Sequence, residues 1–266
     1  MEFKIIINEN ATKLDAIWSG LRPYSQRFVA RSCILFQFDK NISKLLLAKD
    51  LVGNKGIKLF SWLLYNKKCP QQEVITAKKL FDDVVVPDWN IKQEILKNKK
   101  TQIEQILNKN KSKISKFIKN YVGEELGRIN IFLSYSADAN RAVAGSIIRV
   151  NEPTIILRLS NCSEITQDKI LSLFVHEVLH LVEYKQKKLA KLPNEIEEAL
   201  FDLLCTMFYS EKKKDYKKII AQDIANRDGY HKKYILPIYK MIKPILDGKE
   251  DLVWKYIDWE KLKKIK

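Results

Sequence analysis

The sequence predicts an α+β fold that is predominantly helical, and three observations predict it. Apolar residues recur at helical spacing through much of residues 11–122. Short segments rich in β-branched residues follow them and indicate strands. These segments lead directly into a long, almost wholly apolar helix. We therefore divide the chain into a mainly helical N-terminal region, residues 1–122, and a second domain, residues 123–266.

The N-terminal region is predicted to contain one strand and several helices. Residues 1–8 combine one acid with a short run of isoleucines, which favours a first β-strand over a signal peptide. Residues 11–21 have helical spacing that stops before Pro23. The longest periodic region is 91–122, where we expect an amphipathic helix that is interrupted near residues 108–111.

The second domain begins at Gly123 and Gly127, where the pattern changes from helix to strand. Three strands are predicted, at residues 129–135, 142–150 and 154–159.

The strands are followed by two predicted helices. The first starts near Ser163 to Thr166 and runs to about Lys185, and the second covers residues 194–210. The loop of residues 185–193 lets the chain reverse, so the two helices can pack antiparallel. The rest of the chain is predicted to be helical, with breaks at residues 228–229 and near Pro237.

The first of these two helices contains an HExxH motif, which uses two of only three histidines in the chain. On a helix, residues i and i+4 lie on one face, so His176 and His180 can bind the same metal ion. Glu177 projects about 100° around the helix, beside the metal rather than onto it. This arrangement is typical of a general base that takes a proton from a water activated by the metal.

The motif has a second interpretation, in which two hydrogen-bonded core histidines accompany a surface Glu177. Burying two imidazoles and a carboxylate is costly unless each has a partner, which a metal ion would provide. A catalytic zinc ion has about three protein ligands and an open position. Because the cysteines form no CxxC pair, the third ligand is expected to be a carboxylate near residue 195. The candidates in that segment are Glu195, Glu197 and Glu198.

The two segments together resemble the gluzincin metallopeptidases, the thermolysin-like class of HExxH enzymes. In that class a second helix carries a ligand glutamate, usually followed by an aspartate four residues later, and Glu198 and Asp202 have this spacing. The resemblance implies that Glu198 is the third ligand and that Asp202 orients His176. It also implies a zincin-like core, with a small sheet, an active-site helix and a ligand helix. Glu195 and Glu197 remain competitors, although both also suit the first turn of a helix.

The resemblance also implies a residue that stabilises the oxyanion and a strand that binds the substrate. Gluzincins use a Tyr or His beyond the ligand glutamate to stabilise the oxyanion, and Tyr230 and His231 are our candidates, with Tyr234 nearby. The family's donor normally lies further along the chain, and a surface role is the alternative for His231. An edge strand binds the peptide main chain in that family. Residues 154–159 are nearest to the motif, and residues 142–145 are the alternative edge.

The composition sets limits on partners and location. The net charge is +16, but only eight of the 48 basic residues are arginine, the residue that base-reading proteins favour. We therefore interpret the lysines as a solvated surface, with nucleic acid as a less favoured partner. No apolar run is long enough to span a membrane, and the unpatterned cysteines are compatible with reduced thiols, so a cytoplasmic location is the expectation.

The predicted function is that of a zinc-dependent peptidase acting on a peptide or protein substrate, with one zinc ion per chain and Glu177 as general base. Two alternatives remain open: a catalytically silent protein that keeps a zincin fold for binding or regulation, and a basic nucleic-acid-binding protein in which the motif is incidental. The intact Glu177 favours the enzyme, because a scaffold that only binds zinc does not need this base.

Overall fold

The computed structural model describes residues 1–13, 86, 88–136, 144–148, 153–185, 194–209 and 232–265. Within these residues helices predominate and one four-stranded sheet is present, which confirms the α+β class. The predicted helix over residues 11–21 is described only as far as residue 13, and the predicted break at residues 228–229 lies outside the described residues.

The chain forms two compact units, each assembled from separate stretches of sequence. One unit comprises Glu2–Asn108 and Arg128–Ile170, and the other comprises Met1, Lys109–Gly127 and Leu171–Lys266. Neither unit follows the predicted division after residue 122, because the first strand of the chain pairs with the strand that starts at Arg128.

The sheet contains β1 (Glu2–Ile7), β2 (Arg128–Tyr135), β3 (Ala144–Ile148) and β4 (Thr154–Leu159), in the order β1-β2-β4-β3. The first three strands in this order are parallel, and β3 runs antiparallel to β4. Strands β2 and β4 are buried along most of their length. This burial fits parallel strands that are covered on both faces, which are apolar without strict alternation.

The position of β4 corrects one prediction. Residues 154–159 were one of two candidate edge strands, the one nearest to the motif, but β4 lies between β2 and β3. Within the described sheet, β3 pairs on one side only and overlaps the alternative edge at residues 142–145. The prediction was wrong because β3 folds back antiparallel on the outer side of β4, so the strand closest to the motif in sequence is internal.

Helix α1 (Trp89–Phe117) is continuous, so the predicted interruption near residues 108–111 was wrong. The polar run there lies between two buried residues one heptad apart, Leu107 and Ile114, so the apolar stripe passes it without a break. A π-helical turn follows α1 and ends at Gly123, whose φ of 81° is left-handed. The Gly123 N–H donates to two carbonyls of that turn, as glycine commonly does beyond the end of a helix.

The remaining helices are α2 (Gln167–Lys185), α3 (Asn194–Tyr209), α4 (Lys232–Met241) and the short α5 (Lys243–Leu246) and α6 (Trp259–Lys263). The extents predicted for α2 and α3 are confirmed to within a few residues. No helix among the described residues has the length and apolar character needed to cross a lipid bilayer.

The predicted break near Pro237 is wrong, because this residue lies inside α4. A proline removes one backbone hydrogen bond from a helix. Buried apolar residues flank it on α4 and hold the helix together despite that loss: Tyr234, Ile235 and Ile238.

Candidate metal centre

Helix α2 begins at a capping threonine and carries the HExxH motif. The backbone N–H of Lys169 donates to Thr166 Oγ1 at 3.4 Å, and the backbone N–H of Ile170 donates to the Thr166 carbonyl at 3.1 Å. A threonine hydroxyl that accepts from the third residue of a helix stabilises its first turn. Thr166 is therefore the N-cap, within the predicted starting region.

The burial of α2 follows from its sequence. Its apolar residues pack on nearly all sides, as the near-continuous apolar pattern predicts. The buried residues are Ile170, Leu171, Phe174, Val175, Val178, Leu179, Leu181 and Val182. Glu177 is also buried, with only 7% of its surface exposed. The interpretation of Glu177 as a surface acid is therefore wrong.

Two histidines and one glutamate converge between α2 and α3. The Nε2 atoms of His176 and His180 are 3.1 Å apart. Glu198 presents Oε2 to His176 Nε2 at 3.2 Å and Oε1 to His180 Nε2 at 3.5 Å. The i and i+4 spacing brings the two imidazoles to one face of α2, and α3 brings the carboxylate to them.

These distances fit a shared cation. A tetrahedral ion bound at about 2.0–2.1 Å separates neighbouring ligand atoms by about 3.3 Å. The two Nε2 atoms, and His176 Nε2 with Glu198 Oε2, are separated by distances close to that value, whereas Glu198 faces His180 Nε2 with its other oxygen. His176, His180 and Glu198 are accordingly a group that could hold a metal ion.

The other nitrogen of each imidazole faces a second carboxylate on α3. His180 Nδ1 donates a short hydrogen bond to Glu197 Oε1, and His176 Nδ1 lies 3.9 Å from Asp202 Oδ1. When Nδ1 of a neutral imidazole carries the proton, Nε2 holds a lone pair that can bind a metal. The contact with Glu197 therefore favours the tautomer of His180 that can bind a metal through Nε2. Asp202 lies on the Nδ1 side of His176.

The charge state of Glu198 suits a ligand. Burial raises the pKa of Glu198, but the hydrogen bond from His176 and the charges of the two histidines outweigh burial, so the net pKa is lowered. Glu198 is thus a carboxylate at neutral pH, which is the form that binds cations.

Cys205, which also lies on α3, is not part of the group among the described residues that could hold a metal ion. Burial, with the negative charges of Glu177 and Glu198, raises the pKa of its thiol far above the ordinary value. Its Sγ lies 3.9 Å from the Ser172 carbonyl oxygen.

Two residues of α3 have roles at this site that the sequence analysis did not assign. Glu197 was considered as a ligand or a first-turn acid, whereas it contacts the outer nitrogen of His180. Phe201 is fully buried, and its ring centroid lies 4.8 Å from that of His180 with the planes 80° apart. The sequence offered one signal for this role of Glu197, namely that its neighbours Ile196, Ala199 and Leu200 are apolar. All three are buried in the structure, where an acid needs a partner.

The remaining candidates are not part of this cluster as described. Glu195 is half-buried at the start of α3, and its carboxylate lies 3.7 Å from Lys233 Nζ. Tyr230 and His231 fall outside the described residues, so their predicted catalytic role stays a prediction. Tyr234 is buried on α4.

Comparisons of the chain with protein-family models, with curated proteins and with solved structures find no match. The resemblance to gluzincins therefore depends on the motif residues alone, and the activity it implies is a proposal.

Proposed function

We propose that this protein is a zinc-dependent peptidase that hydrolyses peptide bonds in a peptide or protein substrate. The observation that carries the proposal is the convergence of His176, His180 and Glu198 at separations suited to one tetrahedral cation, with Glu177 buried on the same helix. The order of elements also supports a zincin-like core, because the sheet is followed by the motif helix and then by the helix that bears the glutamate.

The donor set favours zinc over the harder divalent cations. Two imidazole nitrogens and one carboxylate form a mixed N/O site, whereas Mg²⁺ and Ca²⁺ prefer oxygen ligands. Three protein ligands leave a fourth position of a tetrahedral site open, which is the arrangement of catalytic zinc sites.

The chain's own residues would divide the work of hydrolysis. When bound, zinc polarises the scissile carbonyl and lowers the pKa of a water at its open position. In the proposed reaction, Glu177 would accept the proton of the attacking water at its carboxylate and donate it to the leaving amine. Tyr230 and His231 are the proposed oxyanion donors, and removal of one such donor typically raises the barrier by about 3 kcal/mol.

The test compares the zinc-loaded wild type with Glu177→Gln on a broad library of fluorogenic peptides. Removal of a general base is expected to lower cleavage by about 10²–10⁴-fold, while zinc content stays at one ion per chain. Glu195→Gln is the matched control, since it removes one charge from a half-buried position of α3 outside the candidate ligand group, and it should cleave as the wild type does. Cleavage that survives Glu177→Gln, or a zinc-loaded wild type that cleaves no peptide, would overturn the proposal.

A further inference from the structure

The two histidines of the site receive unequal support from α3. His180 Nδ1 is in direct hydrogen-bond contact with Glu197, whereas His176 Nδ1 is 3.9 Å from Asp202, which exceeds hydrogen-bonding distance. The side chain of Glu197 is also more deeply buried than that of Asp202, because 6% of its surface is exposed against 19% for Asp202.

From this asymmetry we infer that Glu197 is the principal positioning residue of the site, which holds His180 in the metal-binding tautomer and orientation. The inference rests on the proposed metal site and adds to it, since the resemblance to gluzincins assigns this type of role to Asp202 alone. Glu197 contacts His180 at Nδ1, whereas His180 Nε2 is the atom that faces His176 and Glu198.

The local packing explains why Glu197 has this role. Glu197 and Glu198 are consecutive, so their side chains leave α3 about 100° apart. Glu198 can therefore face both Nε2 atoms while Glu197 reaches around to the outer edge of the His180 ring. Phe201, one turn after Glu197, packs its ring edge-on against the same imidazole. His180 is thus held by a carboxylate at one edge and by an aromatic ring.

A carboxylate in this position has two effects on a ligand histidine. It accepts the Nδ1 proton, which leaves the Nε2 lone pair for the cation, and it makes the imidazole a stronger donor. Loss of such a partner typically weakens metal affinity by about 10–100-fold.

The experiment measures Zn²⁺ dissociation constants by competition with a chromophoric chelator for wild type, Glu197→Ala and Glu197→Gln. Glu197→Ala should weaken Zn²⁺ binding by about 10–100-fold. Glu197→Gln should have a smaller effect, because the amide oxygen still accepts the Nδ1 proton. Glu195→Gln should bind as the wild type does, and Asp202→Ala should weaken Zn²⁺ binding less than Glu197→Ala does. The visible absorption of Co²⁺-substituted protein should change in the Glu197 variants only.

The outcomes separate this inference from the proposed function. A wild type that binds no Zn²⁺ overturns both. A wild type that binds Zn²⁺ with Glu197 variants of equal affinity overturns the role of Glu197 and leaves the metal site intact. Thermal unfolding of the metal-free proteins identifies a merely structural role, which would lower the stability of the Glu197 variants while the Zn²⁺ affinity of the folded protein and the Co²⁺ spectrum stay unchanged.

Discussion

Helices α1 and α2 both carry ionisable side chains, but they place them in opposite environments. On α1, Lys97 Nζ lies 2.6 Å from Glu94, and these side chains are 51% and 63% exposed. On α2, Glu177 is buried, and the side chain of His180 is only 12% exposed. Lys92 is buried, but the other ionisable side chains of α1 are exposed or half-buried, whereas α2 and α3 place a glutamate each, Glu177 and Glu197, in buried positions.

The difference shows which polar residues need a specific explanation. An exposed ion pair contributes little to folding and is free to change. Buried ionisable groups cost several kcal/mol unless they are partnered, so a cluster of two histidines and several acids needs partners. Under the proposed function, a cation on His176, His180 and Glu198 would be such a partner.

The largest expected effect lies in the packing that supports the buried cluster. Phe201→Ala should lower the free energy of unfolding by about 3–5 kcal/mol, because it removes a fully buried ring and leaves a cavity beside His180. Ile91→Ala on the exposed side of α1 should change it by less than about 0.5 kcal/mol. Urea unfolding of the metal-free proteins measures both values, and equal costs would remove the contrast between the two regions.

The next effect is the stabilisation that zinc gives to the folded chain. Free zinc at 100 times its dissociation constant should raise the free energy of unfolding of the wild type by about 2.7 kcal/mol, because only the folded state brings the three ligands together. Glu198→Ala should lose this increment at the same zinc concentration, whereas Glu94→Ala should keep it. Unfolding curves with and without zinc test this, and an unchanged response in Glu198→Ala would exclude Glu198 as a ligand.

The smallest effect is expected for the exposed charges of α1. Glu94→Ala should lower the free energy of unfolding by no more than about 0.5 kcal/mol, because the pair with Lys97 is solvated and one helical turn apart. The loss should shrink further in 0.5 M salt, where screening weakens surface attraction. A cost above about 2 kcal/mol that salt does not reduce would contradict the assignment of Glu94 and Lys97 to a solvated face of α1.

Periodicity and turn chemistry made much of the fold predictable. The strand at residues 154–159 and the extents of α2 and α3 follow from local patterns that packing reinforces. Sheet order does not follow from such patterns, and the internal position of β4 depends on where β3 folds back. Helix α1 continues through the polar run at residues 108–111, and α4 continues through Pro237. In both helices, buried apolar residues on either side stabilise a position that is locally unfavourable for a helix.

The candidate site was predictable in part for a related reason. Spacing alone indicated that His176 and His180 share a face, and the resemblance to gluzincins implied that Glu198 and Asp202 mark the side of α3 that meets them. The role of Glu197 was not predictable, because it depends on the rotation of α3 about its axis relative to α2. A rotation by one residue would exchange Glu197 and Glu198, and sequence spacing does not determine that rotation.

Anomalous diffraction at the zinc edge, from crystals grown with zinc, tests the central claim most directly. We expect a single strong peak per chain at about 2.0–2.2 Å from the Nε2 atoms of His176 and His180 and from a carboxylate oxygen of Glu198. We also expect Glu197 to remain hydrogen-bonded to His180 Nδ1. A peak ligated by Nδ1 atoms or by Glu197, or the lack of any peak beside the two histidines, would contradict it.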